Sequence, residues 1–134
     1  MFNDEINEVY KKLDELFKLK AKRIVKGSGL KFDRLLSAVD LVKGYEFNIL
    51  IINGNTINFK DQKSLCIQLI HHCRETQKEK QNYLTQLEHH KQHDLHFDDV
   101  TYDPMMEQLY YEIEKIGKFV GHLKDLTEKF PTQD

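Results

Sequence analysis

Residues 45–59 read YEFNILIINGNTINF, and this stretch decides the fold class. Tyr45–Ile52 is aromatic and rich in β-branched residues, the composition of a strand rather than a helix. Asn53-Gly54 follows at once, and that pair accepts the left-handed backbone of a tight hairpin turn. Asn55–Phe59 then returns as a second strand. A two-residue turn sets Ile51 opposite Thr56 and Ile49 opposite Asn58, mixing polar and apolar side chains on one face. A loop one residue longer sets Ile51 opposite Ile57 and Ile49 opposite Phe59 and separates the faces, so the longer loop is the expected register. A lone two-stranded hairpin is marginal in water. It must therefore lie on a helix, gain a third strand or pair with another chain.

Upstream, residues 31–43 admit two readings. Phe32, Leu35, Leu36, Val39 and Val42 fit a short helix closed by Gly44, which is the preferred one. In the other, residues 38–42 form a strand that turns at Lys43-Gly44 into the hairpin. Before them, Phe2, Ile6, Val9, Leu13, Leu16 and Phe17 recur at helical spacing. They predict one N-terminal helix from about Asn3 to Lys26, stopped by Gly27-Ser28-Gly29.

Downstream, the pattern predicts a long helix from Asp61 to about Gln92. Cys66, Ile70 and Cys73 begin a seam that resumes at Leu84 and Leu87, with Gln77 and Lys80 in the same phase between. Arg74–Asn82 has no aliphatic or aromatic residue and reads either as an exposed helix middle or as a break. Residues 94–103 form the connection, with Asp103 as cap and Pro104 at the first helical position. The last helix then carries Met106, Leu109, Ile113, Ile116, Val120, Leu123, Thr127 and Phe130 at alternating steps of three and four. The two long helices are expected to form an antiparallel hairpin. Met105, Phe119 and Leu126 broaden the stripe beyond what one partner helix with a polar middle covers. That width predicts a homodimer or larger oligomer built through Met106, Leu109, Ile113, Ile116, Val120, Leu123 and Phe130, or by pairing at the hairpin edge. Gly117 and Gly121 would let another helix approach closely.

The resulting architecture is α+β, mainly α, in a single domain over residues 1–134. The size suits one core, and 31% charged residues with 40% hydrophobic ones exclude a disordered chain. No apolar run approaches the roughly 20 residues that span a bilayer. The acidic start Met1-Phe2-Asn3-Asp4-Glu5 is unlike a signal peptide. Cys66 and Cys73, two helical turns apart at about 10.5 Å, exceed the roughly 7 Å limit of a disulfide and read as reduced core residues. A cytoplasmic location is therefore expected.

The net charge of −2 hides an asymmetry. Residues 1–60 carry 11 Lys and Arg against 8 Asp and Glu, and residues 61–134 carry 9 against 14. Lys18, Lys20, Lys22, Arg23, Lys26, Lys31 and Arg34 face a single carboxylate, Asp33, within seventeen residues. With backbone amides from Gly27-Ser28-Gly29, this run is a candidate surface for nucleic acid or a nucleotide phosphate. Against that, cations also suit the end of a helix, and no phosphate-loop motif accompanies them. His89, His93 and His96 lie in a cluster with Asp98, and His89 and His93 share a helical face suited to one divalent metal. No HExxH or GxSxG signature supports catalysis, so no cofactor is expected and the chain is read as non-enzymatic. Tyr102, Tyr110 and Tyr111 with Met105 and Met106 form either core or an adaptable contact surface. The function expected from these residues is a small regulatory or interaction protein, an adaptor or inhibitor, that self-associates and binds a partner protein. That make-up is common among small proteins of phages and mobile elements. The alternatives are a phosphate or nucleic-acid binder and a His-rich metal-dependent enzyme.

Overall fold

The structure, a computed structural model, describes residues 9–15, 20–40, 45–93 and 99–130. Residues 9–15 are helical and form the described part of α1. They are followed by α2 (Ala21–Val25), β1 (Phe32–Asp40), β2 (Tyr45–Ile52), β3 (Asn55–Phe59), α3 (Gln62–His93) and α4 (Asp99–Lys129). The α+β, mainly helical reading holds, including the hairpin and the two long antiparallel helices after it.

The expected single N-terminal helix is interrupted. Lys20 has φ −90° and ψ 77°, outside the helical region. The Asp14 carboxylate accepts the Ala21 amide at 2.6 Å, and the Lys20 carbonyl accepts those of Arg23 and Ile24. The chain thus bends and restarts, and both Val9 with Leu13 and Ala21 with Val25 reach the core. The expected helix start at Asn3 lies outside the described residues.

Residues 32–40 are a strand, which corrects the preferred helical reading of 31–43. β1, β2 and β3 form one antiparallel sheet in that order, so the hairpin gains the third strand it requires. The spacing of Phe32, Leu35 and Leu36 suits a helix, yet a bulge at Asp33 resets the alternation and lets Phe32 and Leu35 share the inner face. The hairpin register is also corrected. Asn53 and Gly54 both take positive φ, 51° and 78°, as a two-residue turn demands. Ile52 then pairs with Asn55, Ile51 with Thr56 and Leu50 with Ile57. The side chains that go inside are Leu50, Ile52, Ile57 and Phe59, and not Ile49 and Ile51. A mixed outer face costs little once the inner one is fully apolar.

α3 begins on a reciprocal cap. The Asp61 carboxylate accepts the Ser64 amide at 2.7 Å, while the Ser64 hydroxyl accepts the Asp61 amide at 3.1 Å. The polar stretch Arg74–Asn82 does not break it. α4 starts at Asp99 rather than at Pro104, which sits inside the helix. Asp103, expected to cap, instead binds Lys91 at 2.6 Å across the two helices. The core gathers Leu65, Leu69 and Cys73 of α3, Ile116, Phe119 and Leu123 of α4 and the inner sheet face. Phe32 meets both Tyr10 and Phe119 edge to face. Among the described residues, no helix is long and apolar enough to cross a membrane.

Candidate interaction surfaces

The basic run forms a corner made by α2, the loop after it and the start of β1. Its backbone is held on three sides. Ser28 is fully buried, its hydroxyl donating to the Val25 carbonyl and accepting the Leu30 amide. Lys31 and Asn53 exchange two bonds: the Lys31 amide donates to the Asn53 side chain at 2.7 Å, and the Asn53 amide to the Lys31 carbonyl at 2.8 Å. Gly27, at φ +81°, lies under the Tyr111 ring so closely that a Cβ would stand 2.5 Å from it. Gly29, at φ +79°, faces the Lys80–Glu112 pair, itself 2.6 Å long. Only glycine combines that backbone with that approach.

Lys20, Lys22, Arg23, Lys26, Lys31 and Arg34 are all exposed on this corner, as is Asp33. Lys18 lies outside the described residues. The amides of Ser28, Leu30 and Lys31 are all donated within the chain. An anion on this corner is therefore held mainly by flexible side chains, which suits broad electrostatic contact more than tight recognition of one phosphate.

The α4 stripe has a different fate from the expected one. Ile116 and Leu123 are 0% exposed and Val120 7%, all within one chain. Met106, Leu109, Ile113 and Phe130 are half-buried. The expected partner surface is thus largely spent inside the molecule, because α4 is covered by α3 on one side and by α2 and the core on another. Gln77 and Lys80, which the sequence places in the phase of the seam, complete it with polar contacts. The Gln77 amide donates to the Ile113 carbonyl at 3.1 Å and passes over Gly117, where a Cβ would stand 3.3 Å away. Gly117 therefore admits a side chain and not a second helix, while Gly121 faces open space.

Beyond this polar waist the helices continue as an arm. Leu84 and Leu87 are buried there, while Tyr83, Met105, Tyr110 and Tyr111 are exposed. Tyr110 donates to Glu88 at 2.7 Å, and that bond raises its pKa. The tyrosine and methionine group is thus mostly surface.

His89 and His90 are exposed with ring centroids 6.2 Å apart. The side chain of His93 and all of His96 lie outside what is described. Among the described residues, no three His, Cys, Asp or Glu side chains converge as metal ligands. Cys66 and Cys73 are free and buried, and burial pushes their thiols up to about 11 and about 12. As neutral thiols they act as small core residues rather than nucleophiles.

Sequence reading missed the contact made by His72, which is half-buried and lies 3.3 Å from the Asn53 side-chain nitrogen and 3.5 Å from the Thr76 hydroxyl. No local pattern signals it, since the contact joins a turn to a helix nineteen residues on. No family model matches this chain, and no curated protein or solved structure matches it significantly.

Proposed function

We propose that this chain is a non-enzymatic interaction protein that docks on an acidic face of a partner protein through the α2–β1 corner. The observation that carries the reading is the concentration of six exposed cations on a backbone held by Ser28 and Asn53. A fixed backbone presents charge without a large ordering cost on binding. Complementary charge then raises the encounter rate and selects the partner. The net charge of −2 favours a local electrostatic match with a protein over general attraction to a polyanion.

The test is quantitative affinity purification from the native cells, comparing the wild-type bait with Arg23→Glu combined with Lys26→Glu. Lys124→Glu, an exposed α4 position, serves as the control. A partner recovered by wild type and control, and depleted about tenfold or more by the double reversal, supports the reading. Equal recovery by all three baits sinks it.

The second reading, nucleic acid or a phosphorylated ligand on the same side chains, rests on the same cluster. It predicts that an oligonucleotide binds with an affinity falling linearly in log–log against salt. A salt-independent or absent signal removes it.

A further inference from the structure

Lys31, Asn53 and His72 form a hydrogen-bond relay whose polarity is fixed from one end. The Lys31 amide donates to Oδ1 of Asn53 at 2.7 Å. A backbone N–H has only a hydrogen to offer, so the carboxamide presents its oxygen there and its nitrogen on the other side. That nitrogen stands 3.3 Å from Nε2 of His72. It carries hydrogens and does not accept, so Nε2 is the acceptor and the ring is a neutral imidazole with its proton on Nδ1. Thr76 leaves this unchanged. Its hydroxyl donates to the His72 carbonyl at 3.0 Å, and the same oxygen is 3.5 Å from Nε2, a long contact.

A second proton, on Nε2, sets two donors against each other. Half a turn of the Asn53 carboxamide relieves the conflict by bringing Oδ1 to the imidazolium, in a charge-assisted bond stronger than the neutral one it replaces. The same half-turn takes the oxygen away from the Lys31 amide. Lys31 is exposed, so water can receive that amide. The charged groups that act on His72 are Glu79, which favours the imidazolium, and His71, which opposes it, both on α3. From the turn packed on the ring the facing group is the neutral Asn53. We infer that His72 and Asn53 are a proton-driven switch on the basic corner: protonation of His72 turns the Asn53 carboxamide and releases the Lys31 amide at the entry to β1. Burial keeps the ring neutral above its ordinary 6.5, so the switch is set at neutral pH and thrown in mild acid. The Asn53 amide still donates to the Lys31 carbonyl, so one of two ties is lost and the corner loosens in place. The bearing of this on docking rests on the reading of the corner given above, whereas the switch is a property of the free chain.

The experiment is a titration of the isotope-labelled full chain by NMR from about pH 7.5 to about pH 5. It follows the His72 ring and the hydrogen-exchange protection of each amide, corrected for the intrinsic rate at each pH. The ring should titrate below 6.5. Protection of the Lys31 amide should fall about tenfold with the same midpoint. The Leu30 amide, held by Ser28, and the Asn53 amide should keep theirs. In His72→Gln the Lys31 amide should not respond. In Asn53→Asp two carboxylate oxygens serve Lys31 and the imidazolium together, so the ring midpoint should rise above that of the wild type and Lys31 should stay protected through it. A His72 ring that stays neutral to about pH 5, or that titrates while Lys31 keeps its protection, overturns the inference. So does a Lys31 response that survives His72→Gln, or an Asn53→Asp ring whose midpoint does not rise. All these signals come from the free chain, so their failure is distinct from a failure of the basic corner to recover a partner.

Discussion

His72 stands where the β2–β3 turn meets α3, and its surroundings decide its proton. Burial disfavours the imidazolium and lowers the pKa, while Glu79 pulls it up less strongly and His71 adds a small push downward. The Asn53 amide nitrogen and the Thr76 hydroxyl are the neutral groups closest to the ring. The unfolded chain therefore holds this proton more tightly than the folded one. Its contribution to stability is fully present above the ordinary value of 6.5 and is lost as pH falls through the lowered one. Urea midpoints measured from about pH 7.5 down to about pH 5 should fall more steeply for the wild type than for His72→Gln. Parallel slopes would show that protonation of His72 is not opposed by the fold. This contact was closed to sequence reading, because His72 lies in a helix among other polar residues and only the tertiary position of the turn gives it a role.

Elements differ in how far their own residues specify them. The β2–β3 hairpin was legible because Asn53-Gly54 carries its own backbone requirement. Its register was not legible, since Ile49, Leu50, Ile51 and Ile52 are all apolar and either alternate pair could face inward. Which pair is chosen depends on what covers the sheet. β1 was misread for a related reason: Phe32, Leu35 and Leu36 satisfy a helical period, and only pairing with β2 and the bulge at Asp33 select the strand. The basic corner was readable from composition alone, yet its rigidity comes from partners distant in sequence. Asn53 is the piece on which these threads meet, with φ 51° and a side chain that accepts the Lys31 amide. Asn53→Ala keeps the turn length but loses that acceptor and leaves a left-handed position with a less tolerant residue. The expected cost is about 2 kcal/mol, read as a lower denaturant midpoint at unchanged slope, and Asn53→Asp should retain most of the stability. If alanine and aspartate behave alike, the side-chain bond to Lys31 is not what holds the turn.

At the scale of the whole molecule, the two long helices are one structure with two kinds of interior. On the sheet side of the waist, Leu65, Leu69 and Cys73 meet Ile116, Phe119 and Leu123 under cover from α2 and the strands. On the far side, Leu84 and Leu87 are buried outside that cluster, with Met106 and Leu109 half-buried opposite and exposed tyrosines around them. Between them stand Gln77 bonded to a helix carbonyl and Lys80 paired with Glu112. A heptad stripe cannot announce this division, because its period reports that a helix face is apolar and not which neighbours cover it. The physical consequence is that the arm opens more easily than the core, having fewer apolar contacts per residue. Leu69→Ala should therefore cost about 2–5 kcal/mol and lower protection from hydrogen exchange throughout the chain. Leu84→Ala should cost less and accelerate exchange mainly in the arm, around residues 80–93 and 99–112, while amides of β2 and of α4 beyond Ile116 keep their wild-type protection. Uniform loss of protection in Leu84→Ala would mean that the waist transmits rather than separates, and that the helical hairpin unfolds as a single unit with the sheet.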